Sequence, residues 1–332
     1  MALSSPTGVG VMLPLDLPAS EVLEFSQTAE SLDFDQLWVV EDLGFRGGIA
    51  QAAAVLAATK TITVGIGILP AGARNAAFAA MELATLCQLF PGRVIAGLGH
   101  GMPGWMRQAG AWPTSPMGLL EEYTLAVRAL LSGAPGPAAG KFVDVSGVNL
   151  REFPDSPPAM VLGVRGPKSL ALAGKIADGV VLAEPATPRY VADSLAYCEG
   201  GAGLPHGELP EGFQVITYDI ATVHDDPAAA IATVRQALGT FGEPDWAPHI
   251  VGQPFAAELA ELRKRCASPQ EFAAKMPDPW VQALTLAGSA EQVRNRLAAR
   301  HAAGTTTAVL TSIGQDRLGQ LEHLSRVLPS QI

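Results

Sequence analysis

The sequence predicts an α/β protein whose fold class is a (β/α)8 TIM barrel with insertions. Three observations predict it. Eight short apolar runs begin near residues 8, 36, 61, 93, 159, 179, 214 and 306. Gly, Pro or Asp residues break the chain after these runs, and a segment of helical character follows each one. The length of 332 residues suits one such barrel with insertions. A doubly wound parallel sheet is the alternative.

The predicted strands are short runs rich in apolar and β-branched residues, which favour extended structure. In chain order they are Gly8–Leu13, Gln36–Val40, Thr61–Leu69, Arg93–Leu98, Ala159–Val164, Gly179–Ala183, Gln214–Val223 and Thr306–Thr311. The predicted helices are Glu21–Leu32, Ile49–Thr59, Ala76–Leu89, Met117–Leu131, Lys168–Ile176, Thr187–Glu199, Pro227–Phe241, Ser289–Ala303 and Asp316–Leu328. We expect Ser20 to be the N-cap of the first helix.

Two regions, near 133–158 and 243–285, interrupt the alternation and are predicted insertions within a single domain spanning residues 1–332. The first begins with the Gly/Pro/Ala segment Gly133–Gly140 and continues into a predicted small excursion or hairpin formed by Lys141–Val145 and Val148–Leu150. The second contains a stretch punctuated by prolines and is predicted to be helical.

Composition excludes several classes of function. The net charge is −10 and no basic run is present, so nucleic-acid binding is not expected. No apolar stretch reaches about 18 residues and no signal peptide is evident, so we expect no membrane association and a cytoplasmic protein. The three cysteines are far apart in the sequence, and the histidines lack ligand spacing, so neither disulfides nor a metal site is expected.

The loop after the fourth predicted strand is rich in glycine. Gly99, Gly101 and Gly104 match G-x-G-x-x-G, but the motif lies in the fourth unit and Pro103 interrupts it, so a dinucleotide fold is disfavoured. We interpret this loop as one where backbone approaches a ligand. His100 is then a candidate proton donor, because its pKa lies near neutrality; an ordinary loop histidine is the alternative. Two residues that follow are candidates for lining a substrate pocket, Trp105 and Met106.

The segment Gly163–Ser169 joins the fifth predicted strand to a helix. Arg165 and Lys168 lie at that helix N-terminus, where the helix dipole disfavours cations. A bound anion would resolve the conflict, so a phosphate site that includes Gly163, Gly166 and Ser169 is a hypothesis; solvated surface cations are the alternative.

Polar residues also follow the second and third predicted strands. Glu41 and Asp42 are adjacent, so on a strand their side chains point to opposite faces, and one of them can face the barrel mouth. Arg74 and Asn75 either bind a polar group of a ligand or cap the following helix.

Four segments, in order, resemble the luciferase-like family of flavin- and deazaflavin-dependent oxidoreductases. They are Phe34–Asp42, Ile62–Ile68, Pro91–Gly99 and Ala173–Gly179. The resemblance spans roughly residues 8 to 313 and implies a (β/α)8 barrel. The last segment, followed by Leu182-Ala183-Glu184-Pro185, is most similar to the branch that uses coenzyme F420.

This resemblance implies hydride transfer at C5 of the deazaflavin, with the ring at the strand ends and the tail phosphate near Gly163–Ser169. It also implies a non-prolyl cis peptide at Gly67–Ile68, behind the ring, and a homodimer. Two departures stand out: Asp42 occupies the place of a histidine found in some members, and His100 occupies the place of a glutamate. Neither a sugar-phosphate nor a tetrahydropterin substrate is therefore carried over.

The function expected is that of an F420-dependent oxidoreductase acting on a small organic substrate, with His100 as proton donor or acceptor, assisted by Asp42 or Glu41. The first alternative is an FMN-dependent monooxygenase that takes reduced flavin from a partner reductase. The second is a non-catalytic protein that binds F420 or flavin.

Overall fold

The computed structural model describes residues 7–201 and 209–329. Within them the strands are β1 Gly8–Met12, β2 Gln36–Val39, β3 Thr63–Pro70, β4 Val94–Gly99, β5 Ala159–Gly163, β6 Gly179–Leu182, β7 Gln214–Val223, β8 Leu286–Gly288 and β9 Thr307–Ser312. The helices are α1 Val22–Ser31, α2 Gly48–Ala58, α3 Ala76–Leu89, α4 Pro103–Gln108, α5 Pro116–Leu131, α6 Pro167–Ile176, α7 Pro188–Gly201, α8 Pro227–Arg235, α9 Ala247–Ile250, α10 Ala256–Lys264, α11 Pro269–Lys275, α12 Asp278–Leu284, α13 Ala290–Ala302 and α14 Arg317–Ser325. None of the helices in these ranges has the length and apolar character that a bilayer span requires.

The chain divides into two compact units. Of the described residues, one unit holds 36–181, 197–201 and 209–214, and the other holds 7–35, 182–196 and 215–329. In the first unit β2, β3, β4, β5 and β6 pair as parallel neighbours in that order. Because these strands are parallel, the loops that follow them emerge at one edge of the sheet.

Backbone and glycine positions shape the centre of this sheet. At Gly65 an added Cβ would lie 2.3 Å from the Trp38 indole, so β3 leaves room for that buried ring. At the opposite edge, Arg93 donates hydrogen bonds to the carbonyls of Leu56, Thr59 and Ile62, which anchors β4 to the end of α2. A small residue such as Gly65 leaves space for a large neighbour such as Trp38, so the interior packs tightly.

The second unit pairs its strands in the order β1, β9, β7, β8. The helices of the predicted 243–285 insertion pack with α8 around an apolar cluster that includes Phe241 and Phe272. A buried ion pair joins β7 to α13, with Arg300 Nε donating to Asp219 Oδ1 at 2.6 Å.

One local expectation was wrong, two elements were missed, and one pair of alternatives is decided. Of the two forms expected for Lys141–Val145 and Val148–Leu150, the structure has the small excursion and not the hairpin, because the Glu122 carboxylate accepts the backbone N–H groups that strand pairing would use. Ser20 caps no helix, since it lies inside a 3-10 turn that leads into α1. Neither the three-residue strand β8 nor the short helix α4 was predicted.

Candidate active site

The fifteen predicted site residues all belong to the first unit, in or after strands β2 to β5. They are Glu41, Asp42, Gly67, Ile68, Arg74, Gly99, His100, Gly101, Trp105, Met106, Gly163, Arg165, Gly166, Lys168 and Ser169. The carboxyl ends of parallel strands meet at one edge, which is where ligands bind in α/β folds.

The loop after β4 meets the first turn of α6 at His100 and Ser169. His100 Nε2 lies 3.3 Å from Ser169 Oγ. Burial lowers the pKa of His100, and the backbone carbonyl of Pro116 opposes that shift more weakly. The lowered pKa favours a neutral imidazole near pH 7, the form that can accept a proton.

The N-terminus of α6 presents backbone donors that form no hydrogen bond within the described part of the chain. Gly166, at φ +82°, is the N-cap and provides no side chain, while Pro167 has no N–H. The first helical hydrogen bond runs from Leu170 N to Gly166 O, so the amides of Lys168 and Ser169 precede it. These amides and the exposed Lys168 lie together at the helix N-terminus, where the sequence analysis expected a phosphate site.

Arg165 lies beside this helix end. Its Nη2 lies 3.8 Å from Met102 Sδ, in the loop after β4. A thioether is a weak acceptor, so the contact orients the guanidinium without neutralising its charge.

The side chain of Ile68, on β3, lies close to Gly99 of β4 and Gly163 of β5. The Gly67–Ile68 peptide is cis, as the family resemblance implied, and the register of β3 against β4 shifts between Ile66 and Leu69. A Cβ added at Gly163 would lie 2.5 Å from Ile68 Cγ2, and one added at Gly99 would lie 3.0 Å from the same side chain. These two glycines therefore accommodate Ile68.

One carboxylate oxygen of Glu41, just after β2, has two hydrogen-bond donors. Its Oε2 accepts hydrogen bonds from Arg74 Nη2 and from Gly48 N, each at 2.8 Å. Arg74 also lies 3.6 Å from Glu82, and Asn75 caps α3 by accepting from Ala77 N. The pair joins the β2 end, the start of α2 and the loop before α3.

Asp42 has a different environment from its neighbour. Its carboxyl group is half-buried, and burial raises its pKa. No described side chain or backbone N–H donates a hydrogen bond to it. A carboxyl with a raised pKa is suited to hold a proton or pass it on.

Met106 and Trp105 differ in exposure although they are neighbours on α4. Met106 is buried, and its side chain fills the space beside Gly72 and Gly101. Trp105 is 36% exposed and contributes an accessible apolar face. Gly101, at φ +71°, adopts a conformation that suits glycine and leaves room for Met106.

Tyr123 was missed by sequence reasoning. Its hydroxyl is buried on α5 with no hydrogen-bond partner among the described residues, and burial raises its pKa, with Arg74, Glu82 and Glu41 as charged neighbours. The amphipathic pattern of α5 marks Tyr123 as a core residue and gives no signal of this polar neighbourhood.

A cavity of about 290 Å³ lies at the amino-terminal ends of the same strands. It is lined in part by Thr63, Cys87 and Ala159, away from the loops described above. In barrels that edge serves stability. The described residues contain no group of His, Cys, Asp or Glu side chains that could hold a metal ion, and their three cysteines are buried and free.

Comparison with known proteins identifies the family. The model of the luciferase-like monooxygenase family matches residues 1–307. The chain belongs to this family. The resemblance stated from the sequence is therefore confirmed.

Relatives and solved structures agree with this assignment. A 5,10-methylenetetrahydromethanopterin reductase of Methanopyrus kandleri is 26% identical over 345 residues, covering 96% of each chain. The solved structure of the coenzyme F420 dependent tetrahydromethanopterin reductase from Methanopyrus kandleri has a TM-score of 0.84 and 20% identity, covering 99% of this chain and 100% of that one. An F420-dependent secondary alcohol dehydrogenase, solved with an F420-acetone adduct, has a TM-score of 0.79 and 21% identity over 98% of this chain and 99% of that one. The predicted fold class, a (β/α)8 barrel with insertions, is confirmed.

Proposed function

We propose that this chain is an F420-dependent oxidoreductase that transfers a hydride between the C5 atom of the deazaflavin and a small organic substrate. The observation that carries the proposal is the N-terminus of α6 beside His100, on a chain whose fold matches solved F420-dependent enzymes. The chain acts as one luciferase-like domain in the cytoplasm.

The residues present fit a phosphate-bearing cofactor. An added Cβ at Gly166 would meet nothing within 4 Å, so the backbone there is open to a ligand. The amides of Lys168 and Ser169, with the cations of Lys168 and Arg165, would hold the phosphate. Gly67, Ile68, Gly99, Gly101 and Gly163 would form the surface that holds the ring.

When bound, the deazaflavin supplies or accepts the hydride. His100 takes or gives the accompanying proton through its imidazole, whose neutral form is favoured by burial. Ser169 orients the ring of His100 through their contact. Asp42, whose pKa burial raises, can exchange a second proton with the substrate. Glu41 fixes Arg74, which with Trp105 and Met106 lines the substrate side.

Substrate turnover separates this function from its two alternatives. The purified protein is mixed, without oxygen, with reduced F420 and a panel of ketones, imines and enones, and F420 reoxidation is followed by absorbance. Reoxidation that requires both protein and an organic acceptor supports the proposal. Oxygen consumption only with reduced FMN and a reductase favours the monooxygenase, which the family description keeps as the alternative. Binding without turnover of either favours a non-catalytic cofactor-binding protein.

A homodimer is the assembly we propose. On α3, Phe78, Met81 and Leu89 are 64%, 50% and 65% exposed and follow helical spacing along one face. Contiguous exposed apolar side chains mark protein interfaces. Light scattering is expected to give the mass of two chains for the wild type and of one chain for F78K, whereas a wild-type monomer would contradict it.

A further inference from the structure

Helix α13 carries two arginines, and among the described residues one carboxylate pairs with this pair of positive charges. Arg296 and Arg300 are four residues apart, so their side chains lie on the same side of the helix. Of the acidic side chains in residues 7–201 and 209–329, Asp219 alone forms an ion pair with either arginine. None of these three residues belongs to the candidate active site.

The carboxylate of Asp219 is paired with Arg300. It is 1% exposed; its Nε donates to Asp219 Oδ1 at 2.6 Å and its Nη1 donates to the Arg296 carbonyl at 3.4 Å. The other oxygen of Asp219 accepts from Thr217 Oγ1 at 2.8 Å. Arg300 Nη2 is buried without an acceptor in the described structure.

Arg296 has no ion pair in the described structure. Its Nη2 donates to the Ala287 carbonyl in β8, and its Nε is buried without an acceptor among the described residues. Burial and the charge of Arg300 both lower its pKa, and Arg300 is the one charged neighbour that shifts it. Arg296 nevertheless stays cationic at neutral pH, as a guanidinium does in proteins.

We propose that Arg296 and Arg300 bind a small inorganic anion, of the class of chloride or phosphate. Two buried donors without acceptors, on two neighbouring cations, leave a net positive charge that burial makes costly. An anion supplies both the missing acceptor and the missing charge. Arg296 is half-exposed and gives the anion a route from solvent. The bound anion stabilises the contact of α13 with β8.

Thermal unfolding of three proteins tests the site. Wild type, R296Q and the control R294Q are unfolded in sodium chloride, sodium phosphate and sodium gluconate at matched ionic strength. Arg294 is on the same helix, but it donates to the exposed Arg326 carbonyl, so R294Q removes an equal charge outside the cluster. General salt effects cancel between the two variants.

We expect a saturable rise in the midpoint of wild type and R294Q, of roughly 2–4 °C at saturating chloride or phosphate relative to gluconate. R296Q is expected to lose this rise. The anion that acts at lower concentration is the preferred ligand. Equal midpoints of the wild type in all three salts, or an unchanged rise in R296Q, would overturn the proposal.

Crystals of the wild type soaked in sodium bromide give a second test that does not depend on a variant. An anomalous peak within hydrogen-bond distance of Arg296 Nε and Arg300 Nη2 supports the site. Bromide peaks elsewhere with none at this cluster would contradict it.

Discussion

His100 Nε2 lies 3.3 Å from Ser169 Oγ, which connects the loop after β4 to the N-terminus of α6. The sequence assigned these residues to different tasks, proton transfer for His100 and anion binding for Ser169. Their contact means that an anion held at the α6 terminus would lie near the imidazole. The two tasks are therefore coupled, and each needs its own variant.

We predict that H100A lowers kcat by about 100-fold or more, the typical contribution of a positioned acid or base. The dissociation constant for F420 should change little. S169A removes both a donor at the helix terminus and the contact that orients His100, so it should weaken cofactor binding and lower kcat by less than H100A does. Weaker binding with unchanged kcat in H100A would assign His100 to the anion site instead.

The stability of the wild type should also depend on His100. Burial lowers the pKa of this imidazole in the folded state, so the unfolded chain binds the proton more readily below about pH 6.5. The stabilising contribution is present above that pH and is lost as the pH falls. Urea unfolding between pH 7.5 and 5.5 should show a steeper loss for wild type than for H100Q. Parallel curves would contradict the shift.

The contribution of Asp42 to stability should change with pH in the direction opposite to that of His100. Its pKa is raised by burial, so the folded state pays to keep it charged at pH 7. D42N should raise the thermal midpoint at pH 7, lose that advantage as the pH falls towards 3.8, and turn over more slowly. The exposed Asp155 gives the control D155N, which should leave both quantities unchanged. A lower midpoint for D42N at pH 7 would show that the carboxylate is stabilised as an anion.

The Glu41–Arg74 pair should stabilise the fold by connecting the segment after β2 to the start of α2 and to the loop before α3. E41Q removes the charge that meets Arg74 Nη2 and Gly48 N, and it should cost about 1–3 kcal/mol of unfolding free energy. R74M should cost a similar amount, and the double variant less than the sum, with a coupling of about 0.5–3 kcal/mol. Additive losses in urea unfolding would show that the two residues act independently.

Gly163 should be intolerant of a methyl group. In G163A the new Cβ would lie 2.5 Å from Ile68 Cγ2, so either Ile68 or β5 must move. We expect a loss of about 1–3 kcal/mol of unfolding free energy, together with weaker F420 binding. The control is G104A, since a Cβ there meets nothing within 4 Å. Equal stability of the two variants would show that Ile68 repacks freely.

Local patterns in the sequence predicted most of the strands. The β-branched run at 61–69 gives β3 at Thr63–Pro70, because alternation and turn residues mark such a strand well. The three residues of β8 were missed because they are too few to show a period. The sequence left an excursion and a hairpin open at 141–150, and the excursion forms because Glu122, on the preceding helix α5, accepts hydrogen bonds from the backbone of this segment.

The sequence predicted the individual loops that form the site. It did not predict the contacts between them. Glu41 and Arg74 follow neighbouring strands, so the sequence places them at the same edge of the sheet. Their ion pair joins residues 33 positions apart, and its geometry depends on where α2 begins. His100 and Ser169 are 69 residues apart, and nothing local in either segment indicates that they meet. The pKa shifts of His100 and Asp42 likewise arise from burial, which only the folded chain defines.

The most direct test of the central claim is an equilibrium titration of the purified protein with F420 and, separately, with FMN, followed by fluorescence and thermal shift. We predict saturable F420 binding that is much tighter than FMN binding, with the thermal midpoint rising as sites fill. K168Q and S169A should weaken it. Tight FMN binding with weak F420 binding would contradict the claim and assign the chain to flavin chemistry, and binding of neither would contradict the anion site at α6.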